Sequence, residues 1–104
     1  MVEMVIPSML DPTLTPKDSN HLVAQLFVMY SPNTLKNGQW DDSTKEKFKK
    51  ATYDVINEYA PGFSDLIVHE DVLFPPDLEK IFGLTGGNIF HGAIDLHNLF
   101  VNRP

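Results

Sequence analysis

The sequence predicts an α+β fold, a mixed sheet with one long helix packed on it, and three observations lead there. Apolar residues recur at helical spacing between Asp42 and Tyr59. An extended stretch, His21 to Tyr30, carries apolar side chains on both of its faces. The chain has 104 residues, 42% of them hydrophobic and 21% charged, which suits one domain over residues 1–104 with a single modest core.

Taken in order, residues 2–10 read as a strand, with Pro7 at an edge or bulge because it has no N–H for a ladder. Pro12, Pro16 and Asp18 mark a loop. In His21 to Tyr30, Leu22, Ala24, Leu26, Val28 and Tyr30 share one face, and Val23, Phe27 and Met29 share the other with Gln25. That pattern predicts a central strand covered on both sides. After a polar loop ending near Asn37-Gly38, a helix over 42–59 presents Phe48, Ala51, Thr52, Val55, Ile56 and Tyr59 to the core and Lys49 to solvent. Ser43-x-x-Glu46 matches a capping box, Asp41 and Asp42 suit the positive end of the helix dipole, and Pro61-Gly62 stops the helix. Asp65 to Leu73 reads as a second strand and Pro76 to Phe82 as a short helix closed by Gly83. Gly86-Gly87 is a turn, and Asn88 to Gly92 reads as extended. A strand that opens at the first residue, and apolar faces that one helix does not cover, suggest an incomplete sheet finished by other sequence or by a second copy.

Composition excludes several functions. A formal charge of −6 argues against nucleic acid, which demands clustered Lys and Arg; Lys45, Lys47, Lys49 and Lys50 read as a solvated helix face. With no cysteine there is no disulfide, thiolate nucleophile or Cys-bound zinc. No stretch has the length of a membrane span and no signal peptide is visible, so a soluble intracellular protein is expected, cytoplasmic if bacterial.

The last third is the most informative. Pro76-Asp77-Leu78-Glu79 leads to Phe82-Gly83-Leu84, then to Gly86-Gly87-Asn88-Ile89-Phe90-His91-Gly92, Leu99-Phe100 and Arg103-Pro104. With Ile6-Pro7-Ser8, Leu10-Asp11-Pro12-Thr13-Leu14, Pro16, Tyr30, Pro32, Trp40-Asp41 and Tyr59-Ala60-Pro61-Gly62-Phe63, this ordered series resembles the C-terminal substrate domain of the phytoene desaturase-like, FAD-dependent oxidoreductases. The similar branch is the pyridine nucleotide-disulphide oxidoreductase domain-containing type. The resemblance implies a parent enzyme whose flavin carries out desaturation or oxidation of an apolar substrate, while this piece supplies pocket wall and positioning. Family members seat FAD on an N-terminal dinucleotide-binding unit and on a second glycine-rich segment after the Arg-Pro pair. Neither segment occurs in these 104 residues. The chain is therefore expected to be an excerpt that holds no FAD and has no turnover by itself, with the missing flavin-binding domain as its partner.

By that resemblance, Gly86, Gly87, Asn88, His91 and Gly92 are the residues expected near the cofactor, the glycines because backbone without Cβ approaches a flat ring closely. Phe90, His97 and Asn98 are the expected substrate contacts; close relatives tend to have Asp-Gln where His97-Asn98 stands, which leaves substrate identity open. No catalytic residue is assigned. His91, Asp95 and His97 match no metal-ligand spacing, so no metal is expected. Asp77 and Glu79 read as helix-start electrostatics, and Phe74, Phe82, Phe90 and Phe100 as core rather than tunnel lining. His21 and His69 read as ordinary strand residues, and Arg103, which could reach a flavin phosphate, is one residue from the end of the sequence and is not assigned to it. The open sheet favours a homo-oligomer. The alternative reading is a stand-alone binding or dimerisation module in which every glycine serves only a turn.

Overall fold

A computed structural model describes residues 1–90. The α+β class holds: two helices accompany a small sheet. Two compact units are present, one made of Met1–Ser31 and Glu46–Ile67, the other of Pro32–Lys45 and the described residues from Val68 onward.

In the first unit, β1 (Val2–Val5) pairs antiparallel with β2 (Gln25–Val28) in the register Val2 to Val28 and Val5 to Gln25. The sheet among the described residues is thus a two-stranded antiparallel ribbon, not a mixed sheet. The strand expected over 2–10 ends at Val5, because Pro7 starts a 3₁₀ turn over Pro7–Met9 instead of continuing the ladder. A second such turn, Pro12–Leu14, is capped by Asp11, whose Oδ1 accepts from the Thr13 N–H at 2.9 Å and from its hydroxyl at 2.6 Å. Those two bonds stabilise the charged form and hold the Asp11 carboxyl below its ordinary pKa.

The extended stretch expected from His21 to Tyr30 narrows to four residues. Before it, Val23 is tied to the buried Ser8 hydroxyl, which accepts the Val23 N–H at 3.0 Å and donates to the Val23 carbonyl at 3.4 Å. After it, Tyr30 takes a positive φ of 60° and ends the strand. Nor is β2 central: Leu26 and Val28 are half-buried, while Phe27 on the other face is exposed.

The long helix, α1 (Asp42–Tyr59), has the expected limits. Its cap is Asp41 rather than the Ser43–Glu46 box: Asp41 Oδ1 accepts the Thr44 N–H at 2.7 Å and the Asp41 carbonyl accepts the Lys45 N–H. The sheltered stripe is also rotated from the expected one. Thr52 and Ile56 are buried and Phe48, Lys49, Tyr53 and Asn57 half-buried, whereas Ala51 is exposed, Val55 is 44% exposed and Tyr59 86%. The returning chain decides this. Gly62, at φ 85°, reverses direction, Phe63 meets Tyr53 with ring centroids 6.4 Å apart, and Asn57 bonds Ser64 twice, at 2.9 and 3.2 Å. The same bonds draw Phe63–Leu66 into a 3₁₀ turn, so the strand expected over 65–73 does not form.

In the second unit, α2 (Pro75–Phe82) begins with two prolines, whose missing N–H groups cost nothing in a first turn, and closes at Gly83 in the left-handed region. A 3₁₀ turn over Thr85–Gly87 packs against it. Asn88 to Phe90 is a turn rather than extended backbone, since Asn88 Oδ1 accepts the Phe90 N–H at 3.0 Å. None of the helices among the described residues is long and apolar enough to cross a membrane.

Candidate functional site

An eight-residue helix is too short to persist on its own, so something must hold α2 in place. Phe74, its N-cap residue, is 7% exposed and packs on Trp40 with centroids 5.1 Å apart. The Trp40 indole N–H is shared between the carbonyls of Pro32 and Asn33, at 3.0 and 3.1 Å. Asp77 accepts the Phe74 N–H at 3.0 Å and receives Lys45 Nζ on both carboxylate oxygens at 3.1 Å. Lys45 also stands 5.2 Å from the Phe74 ring centroid, a cation–π contact. Phenylalanine has no acceptor, so only the reciprocal half of a capping box exists here. The Phe74 N–H above all, opposed by burial and helped by Lys45, holds the Asp77 carboxyl below its ordinary pKa. Asp77 is thus an ionised cap, as the helix-start reading expects, and Lys45 is a clamp rather than part of a solvated face.

The glycine turn rests on this helix. A Cβ added to Gly87 would lie 2.5 Å from the Pro75 carbonyl oxygen and 2.7 Å from its Cα, and φ there is +66°. Only glycine allows that approach. Gly86 also has a positive φ, but a Cβ there would meet nothing nearer than Asn33 Nδ2 at 4.0 Å. The two glycines differ accordingly: Gly87 faces α2, and Gly86 faces open space. The Gly86 N–H donates to Glu79 Oε1 at 3.2 Å, the Gly87 N–H to the Leu84 carbonyl at 2.8 Å, and the Asn88 N–H to the Thr85 carbonyl at 3.3 Å.

Of the residues expected near cofactor or substrate, Gly86, Gly87, Asn88 and Phe90 therefore lie on one turn. His91, Gly92, His97 and Asn98 lie outside the described residues, as do Asp95, Phe100 and Arg103. Of the expected core phenylalanines, Phe74 is buried, but Phe82 is 59% and Phe90 72% exposed, because nothing described covers that end of α2. His21 and His69 are exposed and lie outside strands, and no metal-holding cluster of acidic or imidazole groups occurs among the described residues. Sequence reasoning missed Glu79 as the Gly86 partner, Lys45 and Trp40. Asp77 at the third helical position carried a visible signal; Trp40 and Glu79 stand in the family-like series but nothing there points to these roles, and Lys45 carried no signal.

Whole-chain similarity gives the context. All of the chain aligns, at 49% identity over 105 residues, with the rat pyridine nucleotide-disulfide oxidoreductase domain-containing protein 2, and at 48% with the mouse protein of the same name. The likeness is to one segment of a larger protein. The chain spans 18% of the length of these curated relatives. No family model matches the chain, and no solved structure matches it significantly.

The described residues do not by themselves fit a flavin dinucleotide. A diphosphate seat uses unengaged backbone N–H groups at a helix start or glycine turn. Here the N–H groups of Gly86, Gly87 and Asn88 are each bonded within the chain, the first of them to a carboxylate. What the turn presents outward is the bare Cα of Gly86, the Asn88 side chain and the exposed Phe90 ring.

Proposed function

We propose that this chain is the substrate-domain segment of a larger FAD-dependent oxidoreductase, where it forms pocket wall and leaves the seating of the flavin to other segments. The observation that carries this reading is the full-length similarity, at 49% and 48%, to proteins named for an oxidoreductase domain and more than five times longer. A turn with a bare glycine Cα and an exposed aromatic ring suits a wall beside a flat ring or an apolar substrate. Desaturation or oxidation of an apolar, isoprenoid-like molecule is the chemistry that the phytoene desaturase-like resemblance favours, with His91, Gly92, His97 and Asn98 completing the wall. The test is to purify the full-length protein and the 104-residue chain side by side. Stoichiometric flavin absorbance in the first and none in the second is expected; flavin retained by the short chain, or absent from the long one, overturns the reading.

A second reading, self-association of the chain, is favoured by the exposed Ile81, Phe82, Ile89 and Phe90. Light scattering distinguishes it: a mass of 11.7 kDa at high concentration rules it out.

A further inference from the structure

We infer that Glu79 is a positioning residue for the ligand-facing turn, acting through the Gly86 amide; this rests on the pocket-wall reading above. The turn touches α2 at two points. At Gly87, the absence of Cβ lets the backbone seat against Pro75, and at Gly86 the N–H is held by Glu79 Oε1 at 3.2 Å, one helical turn farther along. A residue pair with positive φ at both positions, 65° and 66°, has several backbone states of similar energy, since glycine pays no steric penalty for any of them. The Pro75 contact restrains one peptide, and the Glu79 carboxylate selects the orientation of the other. The helix that carries Glu79 is itself fixed by Asp77, Lys45, Phe74 and Trp40, so the orientation is inherited from a rigid base. The consequence is that the bare Gly86 Cα is presented to its ligand in one direction. Glu79 thereby has a role that is neither helix-start electrostatics nor acid–base chemistry: it supplies an acceptor, and an amide oxygen serves equally.

Two measurements test this. In the 104-residue chain, backbone amide exchange at Gly86 should rise about tenfold or more in Glu79→Ala, because its hydrogen bond is lost, and remain near wild type in Glu79→Gln. Emission from Trp40, the one tryptophan, should not change in either variant. In the full-length protein, titrated with FAD and followed by flavin fluorescence, Glu79→Ala should weaken binding about fivefold, the value of one hydrogen bond, and Glu79→Gln should restore it. Gly86 exchange that is unchanged in Glu79→Ala, or raised equally in Glu79→Gln, overturns the inference. Gly86→Ala in the same FAD titration separates the two claims. If Gly86→Ala weakens FAD binding and Glu79→Ala does not, the inference falls and the wall reading stands. If neither variant affects FAD binding, the turn does not face the flavin and the inference falls, while the wall reading is decided by the flavin content of the full-length protein.

Discussion

The two helices are stabilised in different ways. α1 has eighteen residues and a local cap, with Asp41 reaching the Thr44 N–H three positions on. It adds surface pairs within one turn, Lys49 to Glu46 and Lys50 to Asp54, each worth about 0.3–0.5 kcal/mol. α2 has eight residues, and its supports come from far away in sequence: Trp40 against Phe74, and Lys45 on Asp77, 32 residues apart. The long helix leaves Val55 and Tyr59 exposed, because the face that carries Thr52 and Ile56 supplies its packing. A short one is as firm as its clamp, and the glycine turn depends on that clamp. The candidate site therefore sits on the region whose structure owes least to local propensity.

The strongest way to break this contrast is at Phe74, the buried aromatic side chain of α2. Phe74→Ala should cost about 3–5 kcal/mol and shift Trp40 emission toward the solvent-exposed range. Urea unfolding followed at Trp40 checks it, and an unchanged midpoint would mean that α2 needs no clamp. Gly87→Ala comes next, at about 2–4 kcal/mol, from a Cβ driven into Pro75 and a disfavoured φ. Gly86→Ala should cost about 1 kcal/mol, since it meets strain but no clash. Thermal midpoints of the two variants should differ by several degrees, and equality would show that the Pro75 contact yields freely.

On α1, Ile56→Ala should cost about 2–4 kcal/mol, as a deletion at a buried position. Val55→Ala should remain within about 1 kcal/mol. The opposite order in denaturant would restore the stripe that periodicity alone expects.

The smallest effect concerns acid. The native pKa of Asp77 is depressed by the Phe74 N–H and by Lys45, with a lesser contribution from Lys80. Its stabilisation is therefore fully present above the unfolded carboxylate value of about 3.9 and is lost as pH falls through the lower native value. Trp40 emission should show an acid transition below about pH 4 that is absent in Asp77→Asn. Asp11, depressed in the same direction by Thr13, belongs to the first unit and should leave that Trp40 transition unaltered when changed to Asn.

Much of this architecture was legible in the chain itself. The limits of α1, the end of α2 at Gly83 and the turn at Gly86-Gly87 follow from local patterns, periodicity and the backbone freedom of glycine, and α2 starts at Pro75, one residue before the expected Pro76. The tertiary structure decided the rest. It set the face of α1 that is buried, through Asn57 and Ser64; it reduced three expected strands to a two-stranded ribbon and a turn; and it gave Glu79 the Gly86 amide and Lys45 the Asp77 carboxylate. Those outcomes depend on side chains that meet only after the chain has doubled back. No window of sequence holds both partners at once, and a lysine or glutamate on a helix surface reads the same whether it faces water or closes a clamp.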